Sequence, residues 1–306
     1  MTGAAGFIGR GLCGRLAGQG HRVSGLTREA AEPIAGVALR AIGEIGPQTD
    51  WRSHLAGVDI VVHLATSAHR PISAAAGAIE AKTAAILARA ARAAGVGRLV
   101  HVSSIRAMGE ATAPGERFRP ADPPSPREPY GRVKLAIEGA IAATASCAVL
   151  DLVILRPPLV YGPGVKGNFR SLIRLAASGV PLPLAGFDAP RSLIFLDNLV
   201  DLLGLACVHP AAPGRVLLAR DAVDLTLPEL LRGVGLGFGC RVRLYRVRPK
   251  LVAGLAVIPT LATALRRLSQ PLLVDDGETR SALGWAPAVA TEDGLALTAR
   301  AWARRV

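Results

Sequence analysis

Three groups of residues in this chain have the types and spacing for chemistry. The first is the segment Thr2-Gly-Ala-Ala-Gly-Phe-Ile-Gly9, where Gly3, Gly6 and Gly9 recur as G-x-x-G-x-x-G and open into a helix-like stretch from Phe7 to Leu16. Glycines at such a turn let the backbone approach a pyrophosphate, and a helix N-terminus behind it supplies oriented N–H donors. The second is Tyr130-Gly-Arg-Val-Lys134, a spacing that puts a phenol and an ammonium on one helical face. A phenol titrating near about 10 is a poor base at neutral pH, but a neighbouring ammonium favours its phenolate. The third is Ser103-Ser104, directly after the apolar run Arg98–Val102. That places a hydroxyl at the C-terminal edge of a sheet, where doubly wound folds bind ligands.

These residues need a scaffold, and the chain reads as alternating strands and helices. Strands are expected at Arg22–Leu26, Ala38–Ile42, Asp59–Leu64, Arg98–Ser103 and Leu152–Leu155, with helices at Ala74–Ala94 and Gly131–Thr144 among them. Short apolar strands separated by helices imply an α/β, Rossmann-type doubly wound parallel sheet covered on both faces. Beyond Pro157 the order loosens into helices near Phe169–Ser178, Asn198–Val208 and Leu227–Gly233, with short strands and many prolines. The expected division is a dinucleotide-binding domain at 1–156 and, at 157–306, mainly a smaller α/β substrate lobe with some segments returning to the first domain. The polar, Pro-rich loop from Arg106 to Pro129 fits a binding-site loop. No strand precedes the glycine loop, although that strand is central in a doubly wound sheet. The expectation is therefore that Met1 lies inside a truncated first strand and that the natural start is further upstream.

The second strand bears on the choice of dinucleotide. An acid at its end accepts the adenosine ribose hydroxyls of NAD, whereas arginine favours the 2′-phosphate of NADP. Here Thr27 stands at the acid position and Arg28 follows, which tilts the choice between NADP(H) and NAD(H) toward NADP(H), while Glu29 leaves NAD open.

Composition narrows the setting. Thirty-six Lys and Arg against 23 acids give a net charge of +13, but the arginines are scattered and aromatics are only 4%, so no nucleic-acid platform is expected. No apolar run reaches the roughly 18 residues of a membrane span. The nearest, Leu251–Leu265, contains Pro259 and reads as a buried helix, so no stable membrane insertion is expected. Cys13, Cys147, Cys207 and Cys240 form no C-x-x-C pair, so neither zinc nor a disulfide framework is expected, and the chain reads as cytoplasmic. Asp275 and Asp276 lack a His or Cys cluster and read as a loop or cap, with no metal. His63 and His101 read as packed histidines of apolar strands.

The chain resembles the extended short-chain dehydrogenases/reductases of the NAD-dependent epimerase/dehydratase family. The likeness runs almost end to end, through TGAAGFIG (Thr2–Gly9), HLAT (His63–Thr66), HVSS (His101–Ser104), YGRVK (Tyr130–Lys134), RPPLVYGPG (Arg156–Gly164), RSLIFLDNLVD (Arg191–Asp201) and LGW (Leu283–Trp285). The resemblance implies that Gly3, Gly6 and Gly9, with Phe7 and Ile8, hold the cofactor pyrophosphate. It implies that Glu44 and Ile45 meet the adenine, that Leu64, Ala65 and Thr66 line the cofactor beyond it, and that Ser103, beside Ser104, and Pro157, which begins the turn toward the substrate, also contact the cofactor. Ser104 would hydrogen-bond the reacting sugar oxygen, with Ile105 beside it. Tyr130 would be the acid/base, and Lys134 would bind the nicotinamide ribose and tune Tyr130. Asn168 and Phe169 match the backbone segment that meets a nucleotide diphosphate, and Arg191 its cationic clamp. A homodimer packed through the Ala74–Ala94 and Tyr130 helices is also implied.

Departures from the family refine the expectation. The 4,6-dehydratases carry an Asp-Glu pair straight after the catalytic hydroxyl residue, and here Ile105 and Arg106 stand instead, so dehydration is excluded. Glu80 occupies a position where many relatives carry Asn, and the sequence gives no account of it. The segment SSIRAMGE resembles a branch of UDP-4-keto-6-deoxy-hexosamine 4-reductases. The expected activity is hydride transfer at C4 of a nucleotide-diphosphate sugar, UDP-linked, as a 4-keto reductase. The alternative is a UDP-sugar 4-epimerase of the UDP-glucose or UDP-N-acetylglucosamine type with tightly held NAD. A catalytically silent dinucleotide-binding regulator or RNA-binding relative is a remoter alternative, opposed by the joint presence of Ser104, Tyr130 and Lys134.

Overall fold

The computed structural model describes residues 1–65, 73–145, 150–248, 251 and 267–304. In chain order the first elements are α1 (Phe7–Gly18), β1 (Val23–Thr27), β2 (Val37–Ala41), α2 (Arg52–Leu55), β3 (Ile60–His63), α3 (Ala74–Ala93) and β4 (Arg98–Val102). A 3₁₀ turn at Ile105–Ala107 leads to α4 (Pro129–Ala145), β5 (Asp151–Arg156), β6 (Leu159–Tyr161), α5 (Asn168–Ala177) and β7 (Leu193–Phe195). Then come α6 (Leu196–Val208), β8 (Val216–Leu218), α7 (Leu227–Gly237), α8 (Gly277–Leu283) and α9 (Thr291–Ala303). The five expected strands agree with β1 to β5 to within one residue at each end. The apolar run 251–265 lies, past Leu251, outside the described residues.

β3, β4, β5 and β8 pair side by side and β1 pairs with β2, all in parallel. Thr2 sits between the two sets and bridges Leu26 of β1 and His63 of β3. Its N–H donates to the Val62 carbonyl at 3.0 Å, and the Met1 carbonyl accepts from the Leu26 N–H at 2.7 Å. The strand order is therefore β2, β1, residues 1–2, β3, β4, β5, β8, which is the doubly wound order with the N-terminal residues in the central position.

Consecutive strand residues face opposite cores, as the pleat dictates. Val62 and Val100 pack with Leu12 and Leu16 of α1 and Leu199 and Leu203 of α6. Val61 and Leu99 pack on the other face with Leu87 and Ala88 of α3 and Ile137 and Ile141 of α4. Alanine-rich α3 is capped by Ser73, whose side chain accepts from the Ala76 N–H, and its small residues let α4 come close. A Cβ on Gly77 would lie 2.3 Å from Val133 Cγ2. This contact fixes α4, and with it Tyr130 and Lys134.

A buried ion pair ties α4 to the sheet. Arg156 of β5 donates Nε to Glu138 Oε1 at 3.0 Å and Nη2 to Oε2 at 2.5 Å, with the two side chains 6% and 4% exposed. Removing one partner leaves a buried charge uncompensated. Arg156→Met is therefore expected to cost about 3–5 kcal/mol of stability, measured by denaturant unfolding. A loss under about 1 kcal/mol would place the pair in a solvated environment.

β6 and β7 form a separate parallel pair, and α5, α7 and α9 enclose a second core around Tyr161, Phe169, Phe187 and Phe195. At its centre Asp221, fully buried, accepts from the Tyr161 hydroxyl at 2.6 Å, the Phe195 N–H at 3.0 Å and Asn198 Nδ2 at 2.8 Å. α7 runs past its expected end at Gly233, because its glycines admit α9: a Cβ on Gly233 would lie 2.5 Å from Leu295 Cδ1.

Candidate active site

The glycine loop is built for close backbone approach. Gly3 has φ of +69°, and a Cβ on it would lie 3.0 Å from the Ala65 nitrogen. A Cβ on Gly9 would lie 2.2 Å from the Gly3 carbonyl oxygen, and one on Gly6 3.0 Å from it. Gly6 is the N-cap of α1, with no side-chain cap and no acid in the first turn. The first-turn N–H groups thus present positive potential without a carboxylate to answer it. Phe7 and Ile8 anchor this turn against the core.

Thr2 locks the loop to the end of β3. Its hydroxyl lies 2.8 Å from His63 Nδ1 and accepts from the Leu64 and Ala65 N–H groups at 3.2 and 3.3 Å. With its lone pairs taken, the hydroxyl's proton goes to Nδ1, so His63 is neutral with its proton on Nε2. Burial and the neighbouring Lys134 push the His63 pKa down to about 3. His63 stacks on buried His101 with ring centroids 5.4 Å apart, in keeping with packed histidines. Thr66 lies outside the described residues.

At the adenosine side, Thr27 is buried and its hydroxyl donates to the Glu29 carbonyl at 2.8 Å. Its oxygen thus shapes the turn. Arg28 is solvent-facing, 3.9 Å from Glu44, and Ile45 packs on the core under α3.

Ser104, Tyr130 and Lys134 come together at the C-terminal edge of β4. Ser103 extends the pairing with β5 through its N–H to the Leu155 carbonyl at 2.8 Å, and its buried Oγ has no partner. Ser104 caps the 3₁₀ turn, its Oγ accepting from the Arg106 N–H at 3.2 Å, and it acts on the Tyr130 phenol in the sense that favours ionisation. Lys134 is 3% exposed. Its Nζ donates to the Val102 carbonyl at 3.4 Å and lies 5.9 Å from the centre of the Tyr130 ring. Burial pushes the Tyr130 pKa up, Ser104 and Arg106 pull it down, and Glu80 pushes it up again. Burial draws Lys134 down to about 8, against the upward pull of Glu80 and Glu138.

The residues expected on the substrate side divide. Arg191 Nη1 donates to the carbonyls of Arg267 and Gln270 at 3.0 and 2.9 Å. Burial and then Arg106 lower its pKa to about 10, so it stays charged at neutral pH. Pro157 is buried, and its carbonyl accepts from the Ile105 N–H at 2.9 Å. One expectation needs correction. The Ile105 side chain is 2% exposed and packs with Met108, Leu218, Leu272 and Val274, since an apolar residue at the strand end is drawn under the turn. Phe169 is fully buried and stacks on Tyr161 at 5.4 Å, an arrangement compatible with the backbone contact expected of it. Asn168 opens α5, and its side chain lies outside the described part.

One feature carried no signal in the sequence. Glu128 pairs with Arg106 and, at 2.9 Å, with Arg267, tying the long loop before α4 to the segment that holds Arg191. Its partners lie on distant segments, so no local spacing marks it. Asp276 stands at the N-cap of α8 and accepts from Arg280 Nε at 2.8 Å.

The profile of the NAD-dependent epimerase/dehydratase family matches residues 1–218. The chain belongs to that family. A UDP-glucose 4-epimerase of Vibrio cholerae is 33% identical over 99% of the chain and 94% of its own length. A dTDP-6-deoxy-L-talose 4-dehydrogenase (NAD(P)(+)) of Kitasatospora kifunensis is 30% identical over 75% of the chain and 78% of its own length. Among solved structures, MoeE5 in complex with UDP-glucuronic acid and NAD is 25% identical, with a TM-score of 0.79, covering 100% of this chain and 98% of that one. As an epimerase/dehydratase family member the chain is an enzyme, and its residues fit a dinucleotide. The uncapped α1 terminus, the glycines whose Cβ positions are blocked and the partnerless Ser103 hydroxyl suit a pyrophosphate at one end and a polar ring at the other. Where the family's dehydratases carry two acids, this member has buried Ile105 and an Arg106 already paired with Glu128.

Among the described residues no helix is long and apolar enough to cross a membrane.

Proposed function

We propose that this enzyme inverts C4 of a UDP-hexose, oxidising the C4 alcohol and reducing the resulting ketone from its other face. The observation that carries the reading is buried Lys134, bonded to the Val102 carbonyl at the sheet edge and lying 5.9 Å from the centre of the Tyr130 ring, with Ser104 acting on the same phenol. The similarity to a UDP-glucose 4-epimerase over nearly the whole chain supports the sugar and the position.

Gly3, Gly6 and Gly9 would hold the dinucleotide's pyrophosphate, and Lys134 its nicotinamide ribose. When bound, that cofactor would supply the hydride acceptor and donor for C4. With substrate in place and its own proton released to solvent, Tyr130 as the phenolate takes the proton of the C4 hydroxyl while Ser104 donates a hydrogen bond to the same oxygen, and Tyr130 returns the proton when the alcohol re-forms. Lys134 holds positive charge beside the ring through both half-reactions. Arg191 would grip the diphosphate with the guanidinium N–H groups that the carbonyls of Arg267 and Gln270 leave free, since a planar fork suits phosphate oxygens. The same reading keeps the domain division at residue 156 and a homodimer through the outer faces of α3 and α4.

A second reading, a 4-keto reductase using NADPH, is favoured by Arg28, solvent-facing at the adenosine end with Thr27 in place of an acid. The two readings separate on the cofactor state of the purified protein. The epimerase reading expects denaturation to release close to one NAD per chain, because its hydride is recycled internally. A protein that arrives empty, binds NADPH at least about tenfold more tightly than NADH, a preference of about 1.4 kcal/mol, and loses it in Arg28→Ala would move the assignment to the reductase.

A further inference from the structure

Glu80, left unexplained by the sequence, stands on α3 one turn beyond Gly77, on the side of that helix that meets α4. The Gly77–Val133 contact, where a Cβ would come within 2.3 Å of a valine methyl, lies next to Lys134 in the chain. Glu80 is half-buried, and its Oε1 is buried with no hydrogen-bond partner. A carboxylate oxygen in that state is costly unless a nearby cation compensates it.

The charges around it select that cation. Two carboxylates act on Lys134, Glu80 from α3 and Glu138 from α4. Glu138 is already satisfied: both its oxygens are taken by Arg156 at 2.5 to 3.2 Å. His63 and His101, which face Lys134 from β3 and β4, are held neutral by burial. Ser104 and Arg106 act on Tyr130 in the opposite sense to Glu80, and the Arg106 cation is itself paired with Glu128. Glu80 therefore holds the one negative charge in this setting that no described cation pairs directly.

We infer that Glu80 is a positioning residue for the Tyr130–Lys134 pair, its buried, unpartnered carboxylate serving as the counter-charge of buried Lys134 across the α3–α4 contact. This rests on the proposed roles of Tyr130 and Lys134. Its consequence is a division of labour: Lys134 keeps its ammonium at neutral pH in a site whose burial would otherwise discharge it, and Tyr130 stays a phenol until substrate and cofactor are in place.

The test reads Tyr130 itself and needs no turnover. The chain has three tyrosines, of which Tyr161 is locked on Asp221 and Tyr245 is exposed. Phenolate absorbance of the whole protein, with the Tyr130→Phe curve subtracted, isolates Tyr130. Lys134 loses its proton near pH 8, before Tyr130 ionises in either protein, so the titration reports the direct effect of Glu80. Glu80→Gln is expected to lower the Tyr130 midpoint by about one pH unit, and Glu80→Asp, which keeps the charge, to leave it close to the parent value. Glu80→Asn repeats the charge removal should the glutamine variant not fold. A midpoint that stays put in a folded Glu80→Gln or Glu80→Asn protein overturns the inference. If the proposed sugar chemistry is wrong but the charge assignment right, the midpoint still moves while no UDP-hexose is turned over. In an active enzyme both limbs of the pH–rate profile move to lower pH in Glu80→Gln, a response that loss of packing alone does not give.

Discussion

Tyr130→Phe is expected to lower turnover of a UDP-hexose by about 10³-fold or more while the protein keeps its fold and its dinucleotide. The substitution removes one oxygen. The ring stays in place on α4, Lys134 keeps its bond to the Val102 carbonyl, and Ser104 still accepts from the Arg106 N–H. What is lost, among the described residues, is the group proposed to take the C4 proton: the Ser104 hydroxyl is too weak an acid to be present as the alkoxide base at neutral pH, and Lys134 lies behind the ring. Turnover measured by sugar NMR alongside NAD titration and a thermal melt separates chemistry from folding. A variant within about tenfold of the parent would remove Tyr130 from the reaction. Lys134 adds a signature in pH. Burial lowers it to about 8, so its ammonium is present below that pH and lost above it. The parent's rate is expected to fall as pH rises through about 8, and Lys134→Met to remove that dependence together with most of the rate.

Gly9→Ala is the second large effect. The added methyl would sit 2.2 Å from the Gly3 carbonyl oxygen and 2.9 Å from Ala4 Cα, both backbone atoms that cannot swing aside. The loop must open, and Gly3 then loses its place against Leu64 and Ala65. Dinucleotide affinity is expected to fall by at least about 10²-fold, close to 3 kcal/mol, with a loss of about 1–3 kcal/mol in stability from overpacking. Gly14→Ala is the control. Its Cβ has as its nearest neighbour the flexible end of Ile34 at 3.9 Å, so binding should be unchanged. Calorimetric titration with NAD compares the two. Equal affinities would mean that the glycine loop does not carry the pyrophosphate.

The parts of this molecule legible in the sequence are those set by local rules. The five strands and the alternation of elements follow from short apolar runs, and the Tyr130–Lys134 pairing follows from helical geometry alone. Placing Ser104 beside them needed only the order of strands in a doubly wound sheet. What the sequence hid depends on contacts between distant segments. The second core hides the side chain of Phe169, which Tyr161 and Phe195 from other elements enclose. Ile105 follows Ser104 but is claimed by Leu218 and Leu272. The Arg156–Glu138 pair and the Glu128 link to Arg267 join residues with no shared spacing. Glu80 shows the same limit: its identity was visible as a departure, while its meaning depended on Arg156 having already satisfied Glu138.

The most direct test of C4 inversion by hydride return is the fate of a label at that carbon. UDP-glucose carrying deuterium at C4 is incubated with the protein and NAD in ordinary water, and the products are resolved by NMR. The account predicts the C4 epimer, with its deuterium retained at C4, formed without net consumption of the dinucleotide, and none of it in Tyr130→Phe. Loss of the deuterium to solvent, or NADPH-dependent reduction of a 4-keto sugar with no inversion of any UDP-hexose, would contradict it.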